Sequence, residues 1–231
     1  MDMYKVDLAP NLKSDHRAGK TILKIGLWAA LTAFVSMLGF FVAQLFQVLG
    51  WLIYPWDQIL IFSSSLAIAI PFLLAMLALY HSASSVTKFW SHAALLFSLI
   101  YVVFVTANYV VQLATVIPMT IKGTSENIQL LKQTPHSLFW DFDAIGYLFM
   151  GLATLFAVPV FRQHGFERWI RYAFLSHALV TPCIAFVYFY PDFSDRLLWI
   201  ALPWTITAPL CMLLLAIFFR QNSIKTDTAA L

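Results

Sequence analysis

The stretch Ile59–Tyr80, ILIFSSSLAIAIPFLLAMLALY, decides the fold, because it contains no charged residue and is long enough to cross a lipid bilayer as a helix. A transmembrane helix needs about 20 mainly apolar residues. Over the whole chain of 231 residues, 61% are hydrophobic and only 11% are charged, whereas roughly a quarter of a soluble domain is charged. The sequence therefore predicts an integral membrane protein and argues against nucleic-acid binding and cytosolic enzyme classes.

Five further stretches have the same character, so the fold class we predict is all-α, a polytopic bundle of six transmembrane helices. The predicted spans are Ile25–Ile53, Ile59–Tyr80, Phe89–Met119, Leu138–Phe161, Trp169–Tyr190 and Leu197–Phe219. Residues 25–219 then form a single membrane domain, with residues 1–24 and 220–231 as tails.

The positions of the basic residues predict the orientation of the bundle. Most Lys and Arg lie in the two tails and in the second and fourth connections, whereas the opposite side carries only Lys122, Lys132 and Arg196. Because basic residues near the spans are retained in the cytoplasm, both termini are expected there. The expected location is the cell inner (plasma) membrane, and the lipid bilayer is the first expected partner.

Polar side chains inside the spans are the main functional signal. Asn108 and Gln112 share one face of the third helix, and Asp143 and Tyr147 share one face of the fourth. The topology places Asn108, Gln112 and Asp143 at similar depth in the outer half of the membrane. Since polar groups in lipid usually face the bundle interior, these residues are expected to line a polar pocket between helices, open or gated toward the outer face.

Two residues of the fifth helix, His177 and Thr181, are expected at the floor of that pocket. Each of these polar residues also has a purely structural interpretation. Ser137 is expected to cap the fourth helix, with Asp141 in its first turn next to the positive end of the helix dipole. Asp143 lies deeper, and a structural pairing with Asn108 or Gln112 is about as well supported as a ligand or proton role. In the predicted spans, Asp141 and Asp143 are the only acidic residues.

Three functional hypotheses follow. The first is a protein that binds, and transports or senses, a small amphipathic, apolar or lipid-like molecule in the outward-facing pocket. The second is an intramembrane enzyme acting on a lipid or isoprenoid, with Asp143 as general acid or base and His177 assisting it. The third is a structural or assembly subunit without a ligand, in which the polar residues hold helices together. The sequence leaves open whether the protein is an enzyme and whether it is a homo-oligomer.

Motifs for cofactors and metals are missing from the sequence. It contains no nucleotide-binding glycine pattern, and its histidines and cysteines lack metal-ligand spacing. No cofactor and no metal are therefore expected.

One set of short segments carries a family resemblance. Asn108–Gln112 (NYVVQ), Pro135–His136 and Asp143–Tyr147 (DAIGY) together resemble functionally uncharacterised six-span bacterial inner-membrane proteins. The resemblance covers about a quarter of the chain. It implies a small helical bundle in a bacterial inner membrane and implies no substrate and no residue role.

Overall fold

The computed structural model describes the backbone of residues 8–228, and their side chains except those of residues 8–16, 125–127, 195 and 226–228. Within this range the chain is helical and contains no strand. Six helices are long and apolar enough to span a membrane, as the composition predicts. They are α1 Leu8–Val48, α2 Trp56–Ser82, α3 Lys88–Val111, α4 Leu138–Ala157, α5 Glu167–Phe189 and α6 Trp204–Thr228.

The helices differ from the predicted spans mainly at their ends. Helix α1 begins at Leu8, well before the predicted Ile25, and ends at Val48 instead of continuing to Ile53. Helix α3 continues through a π-helical turn, Gln112–Val116, into a last α-helical turn, Ile117–Ile121. The predicted sixth span is divided into a short helix, Leu198–Ala201, and α6.

The six helices pack as a closed ring. Each packs against the next one along the chain, and α6 returns to pack against α1. Because consecutive helices alternate in direction, α1 begins and α6 ends at the same end of the bundle. The starts of α2, α4 and α6 therefore lie at the other end, together with the ends of α1, α3 and α5.

Small residues allow close helix contacts inside the ring. A Cβ atom on Gly26 of α1 would lie 2.8 Å from both Ala78 of α2 and Phe219 of α6. Only a glycine lets these three helices approach so closely. Elsewhere large side chains fill the interior, such as Phe72 and Tyr101, which are both buried and whose ring centroids are 5.3 Å apart.

The outer surface of the ring is apolar. Trp28, Val103, Leu179 and Ile206 come from four different helices, and each is more than half exposed. Side chains of this kind on every side of the bundle are unfavourable in water and are typical of a surface that faces lipid. The exposed surface and the interior together fit a membrane-spanning bundle.

Candidate functional site

The carboxylate of Asp143 is the most heavily hydrogen-bonded side chain that the structure describes. Asp143 lies in the second turn of α4 and is 2% exposed. Its Oδ1 accepts from Asn108 Nδ2 at 3.2 Å and from the Tyr109 hydroxyl at 2.8 Å. Its Oδ2 accepts from Gln133 Nε2 at 3.0 Å and from the Tyr188 hydroxyl. An ionised carboxyl is purely an acceptor, so four donors suit it.

The topology of the ring explains this convergence. Asn108 and Tyr109 lie near the end of α3, Asp143 near the start of α4 and Tyr188 near the end of α5, and these positions share one end of the bundle. Helices α3 and α4 also approach closely, because a Cβ atom on Gly146 would be only 2.6 Å from the Val105 side chain. Neighbouring polar side chains are thereby brought within hydrogen-bonding distance.

The connection between α3 and α4 folds back over the carboxylate. The Gln133 side chain donates to Asp143 and accepts from Asn108 Nδ2 at 3.0 Å. The backbone of the same segment is held by Gln112, whose Nε2 donates to Leu131 O at 2.7 Å and whose Oε1 accepts from Gln133 N at 3.1 Å. Gln112 therefore contacts the covering segment rather than the carboxylate.

Aromatic rings surround the same group. The Tyr109 and Tyr147 hydroxyls are 3.2 Å apart, and the Tyr147 ring packs edge-on against Trp204, with centroids 5.1 Å apart. Trp140 packs against Tyr188 with centroids 4.5 Å apart. We call the polar residues of this site the Asp143 cluster. Its members are Asn108, Tyr109, Gln133, Asp143, Tyr147 and Tyr188.

Buried polar atoms beside the cluster include Asn108 Oδ1 and Trp204 Nε1, neither of which has a hydrogen-bond partner among the described residues. Asn108 has no exposed surface, and Trp204 is 5% exposed. Buried polar groups in proteins are paired in about nine cases of ten. The unpaired acceptor of Asn108 is therefore an unusual feature directly next to Asp143.

The predicted residues of the fifth helix, His177 and Thr181, have hydrogen-bond partners outside the cluster. His177 Nδ1 is 3.3 Å from the Thr207 hydroxyl, and the Thr181 hydroxyl donates to the His177 carbonyl at 3.3 Å. Neither residue hydrogen-bonds to the cluster in the part of the chain that is described. Three of the six predicted site residues belong to the cluster, namely Asn108, Asp143 and Tyr147. Gln112 supports the segment that covers it, and the placement of His177 and Thr181 at the pocket floor stays a prediction.

Three members of the cluster were not among the predicted site residues. Tyr109 follows Asn108, and Tyr188 continues the polar stripe of His177 and Thr181, so both had a signal in the sequence. Gln133 lies in a connection, where helical periodicity gives no information. The expected role of Ser137 is confirmed, since its hydroxyl accepts from Trp140 N at 3.2 Å as the cap of α4.

A second buried acid corrects the prediction that Asp141 and Asp143 are the only acidic residues within the spans. Asp57 lies in the first turn of α2, because this helix begins at Trp56 and not at the predicted Ile59, and it is 8% exposed. Its Oδ2 accepts from Gln47 Nε2 at 2.8 Å, and its Oδ1 has no partner among the described residues. Asp57 thus has one donor where Asp143 has four.

An open cleft of about 700 Å³ lies at the other end of the bundle, where α1 begins and α6 ends. Apolar side chains of Ile22, Leu79 and Phe218 line it. Arg162 and Glu167 also line it, with Arg162 Nε 3.7 Å from Glu167 Oε1. The Asp143 cluster is closed by comparison, since its side chains are buried or half-buried.

The cluster offers hydrogen-bond acceptors and aromatic rings to a ligand. A carboxylate and an unpaired amide oxygen are both acceptors, and the rings around them can contact an apolar group or a cation. Among the described residues, no three His, Cys, Asp or Glu side chains are grouped so that they could hold a metal ion.

Comparison of the chain with known protein families, curated proteins and solved structures gives no match.

Proposed function

We propose that this chain is a multi-pass inner-membrane protein that binds a small amphipathic molecule at the Asp143 cluster and transports or senses it. The observation that carries the proposal is the convergence of three helices and one connection on a single buried carboxylate. Polar contacts that only join helices need one donor and one acceptor. Four donors hold this acid in place beneath a covering segment, so the carboxylate is positioned for a group that replaces one of the donors.

The charge distribution supports an orientation with both termini in the cytoplasm. The end of the bundle where α1 begins and α6 ends carries most of the Lys and Arg residues, whereas the cluster end carries Lys122, Lys132 and Arg196. By the positive-inside rule the cluster then lies on the outer side. A ligand would reach it from that side when the segment around Gln133 moves away.

Orientation is tested with single cysteines introduced in a background without Cys183 and Cys211. We expect Lys132→Cys to react with a membrane-impermeant maleimide in intact cells, and Lys225→Cys to react only after permeabilisation. The reverse pattern would place the cluster on the cytoplasmic side and refute the proposed orientation.

Binding is tested by extracting small molecules from protein purified in mild detergent. Mass spectrometry of the extracts compares the unmodified chain with Asp143→Asn and with Asp57→Asn, a matched control at a second buried acid of the same bundle end. We expect a compound that is retained by the unmodified chain and by Asp57→Asn but is depleted in Asp143→Asn. Identical extracts from all three proteins would contradict the proposal and favour a structural subunit.

The enzymatic alternative has less support. It requires Asp143 and His177 to act on one substrate, within hydrogen-bonding distance or through one water molecule. His177 Nδ1 is instead 3.3 Å from the Thr207 hydroxyl, while Asp143 is hydrogen-bonded by four other side chains. Among the described residues, no contact favours acid–base chemistry between Asp143 and His177.

A further inference from the structure

We infer that the ligand of the Asp143 cluster is an organic cation, an amphipathic molecule with an ammonium group, and that the Gln133 carboxamide occupies its place in the closed site. The inference rests on the proposed function and names the class of ligand. Charge, aromatic surroundings, an unpaired acceptor and the origin of Gln133 in a connection support it independently.

The first argument is the uncompensated charge. All four groups that donate to Asp143 are neutral amides or phenols. No Lys, Arg or His in the described part of the chain forms an ion pair with it, and this includes Lys132, which precedes Gln133. Asp143 also lies beyond the first turn of α4, where the effect of the helix dipole has fallen off. Because buried charges in proteins are normally paired, a cation is the missing partner.

The second argument is the aromatic wall. Phenol rings on three helices lie at or next to the carboxylate, those of Tyr109, Tyr147 and Tyr188. The indole rings of Trp140 and Trp204 pack against two of them, Tyr188 and Tyr147. The faces of such rings carry partial negative charge and attract ammonium groups, and groups of them recognise quaternary amines in other proteins. A carboxylate beside such rings is therefore suited to an organic cation.

The third argument is the unpaired oxygen of Asn108. Its Nδ2 donates to both Asp143 and Gln133, so its Oδ1 remains as a buried acceptor without a partner. The partial negative charge of this oxygen would attract an ammonium group once Gln133 has left. A second acceptor beside a carboxylate disfavours anions and adds a favourable contact for a cation.

The fourth argument is that Gln133 lies in a connection between helices. Its Nε2 contacts Asp143 Oδ2 as a ligand donor would, yet it belongs to a connection and not to a membrane helix. Gln112 holds the connection in place through two hydrogen bonds to its backbone. The carboxamide is thus a tethered competitor of the ligand, and its removal is expected to strengthen cation binding.

Three benzyl compounds of matched shape test the inference. Benzyltrimethylammonium carries the cation, neopentylbenzene replaces it with a neutral tert-butyl group, and phenylmethanesulfonate carries an anion. Binding to the full chain in zwitterionic nanodiscs is measured by saturation-transfer NMR and by tryptophan fluorescence, with empty nanodiscs as the blank. We expect only the ammonium compound to saturate, with an affinity about tenfold weaker in Asp143→Asn and unchanged in the Asp57→Asn control.

Variants at Gln133 test the tethered competitor. Gln133→Ala is expected to bind benzyltrimethylammonium about fivefold more tightly. Gln133→Lys would place an ammonium of the chain itself beside Asp143, so it is expected to abolish binding and to raise thermal stability. If circular dichroism shows that Asp143→Asn has lost helix content, the loss of binding in Gln133→Lys still tests whether the cation binds beside Asp143. Unchanged affinity in either Gln133 variant would overturn the competitor role.

The other outcomes separate this inference from the proposed function. If the neutral or anionic probe binds as tightly as the cation and depends on Asp143, the ligand is not a cation, but the cluster is still a binding site. If no probe binds even to Gln133→Ala, the inference is overturned, while the extraction experiment tests the proposed function on its own. If the ammonium compound binds equally to Asp143→Asn, its site lies elsewhere and the inference fails.

Discussion

The hydrogen bond between Tyr109 and Asp143 gives the sharpest test of the charge assigned to the cluster. The Tyr109 hydroxyl contacts both the carboxylate, at 2.8 Å, and the Tyr147 hydroxyl, at 3.2 Å. Tyr109→Phe removes both bonds, whereas Tyr147→Phe removes the second and leaves the bond to Asp143 in place. The difference between the two variants in free energy of unfolding therefore reports mainly on the bond to Asp143.

The size of that difference follows from the nature of the acceptor. Hydrogen bonds to charged groups contribute about 1.5–3 kcal/mol, whereas those between membrane helices average about 0.6 kcal/mol with a maximum near 1.7. The two ranges overlap at about 1.5 kcal/mol, which is the loss we expect for Tyr109→Phe beyond that of Tyr147→Phe. It corresponds to slightly more than a tenfold change in the unfolding equilibrium.

The assay is reversible unfolding in mixed micelles with a rising fraction of dodecyl sulfate, followed by circular dichroism and tryptophan fluorescence. The same pair of variants is also measured in an Asp143→Asn background, where the acceptor is neutral and the difference is expected to fall to about 0.6 kcal/mol. A difference below about 0.5 kcal/mol in the unmodified background would refute the reasoning. An equal difference in both backgrounds would show that the charge of Asp143 plays no part.

Two further predictions concern packing and the second buried acid. Gly151→Ala should destabilise the bundle by about 1–3 kcal/mol in the same assay, because the new Cβ atom would lie 1.8 Å from the Thr181 hydroxyl oxygen. Gly19→Ala is the control, because outside its own helix backbone no described atom lies within 4 Å of its Cβ position, and an equal loss there would contradict the steric explanation. Asp57→Asn should cost less than Asp143→Asn, since Asp57 has one donor and an unpaired oxygen whereas Asp143 has four donors. A larger loss of stability for Asp57→Asn would show that the number of hydrogen-bond donors does not determine which of the two acids contributes more to stability.

The six helices could be predicted because lipid imposes a simple rule on composition, but their ends could not. Hydropathy reports where a helix leaves the apolar layer, not where it stops being a helix. Helix α1 includes Arg17, Lys20 and Lys24, which are charged but are good helix formers and extend α1 beyond the apolar stretch. Asp57 likewise lies outside the apolar stretch that begins at Ile59, although it is in the first turn of α2.

The candidate site was predictable where helical periodicity applies. Asn108 and Asp143 were expected at similar depth and are hydrogen-bonded at 3.2 Å. Gln133 could not be predicted, because the path of a connection depends on tertiary contacts such as those with Gln112. The depth of His177 predicts a place on the pocket floor but not the neighbour that its side chain faces. Its Nδ1 is 3.3 Å from the Thr207 hydroxyl.

The closed ring of helices has a mechanical consequence. Five of its six helix–helix contacts join segments that are consecutive in the chain, so separating those pairs pulls on a connection. The sixth, between α1 and α6, has no covalent link and depends on side-chain packing such as that of Gly26 against Phe219. A lateral opening of the bundle toward the lipid would therefore meet the least resistance from the backbone along this seam.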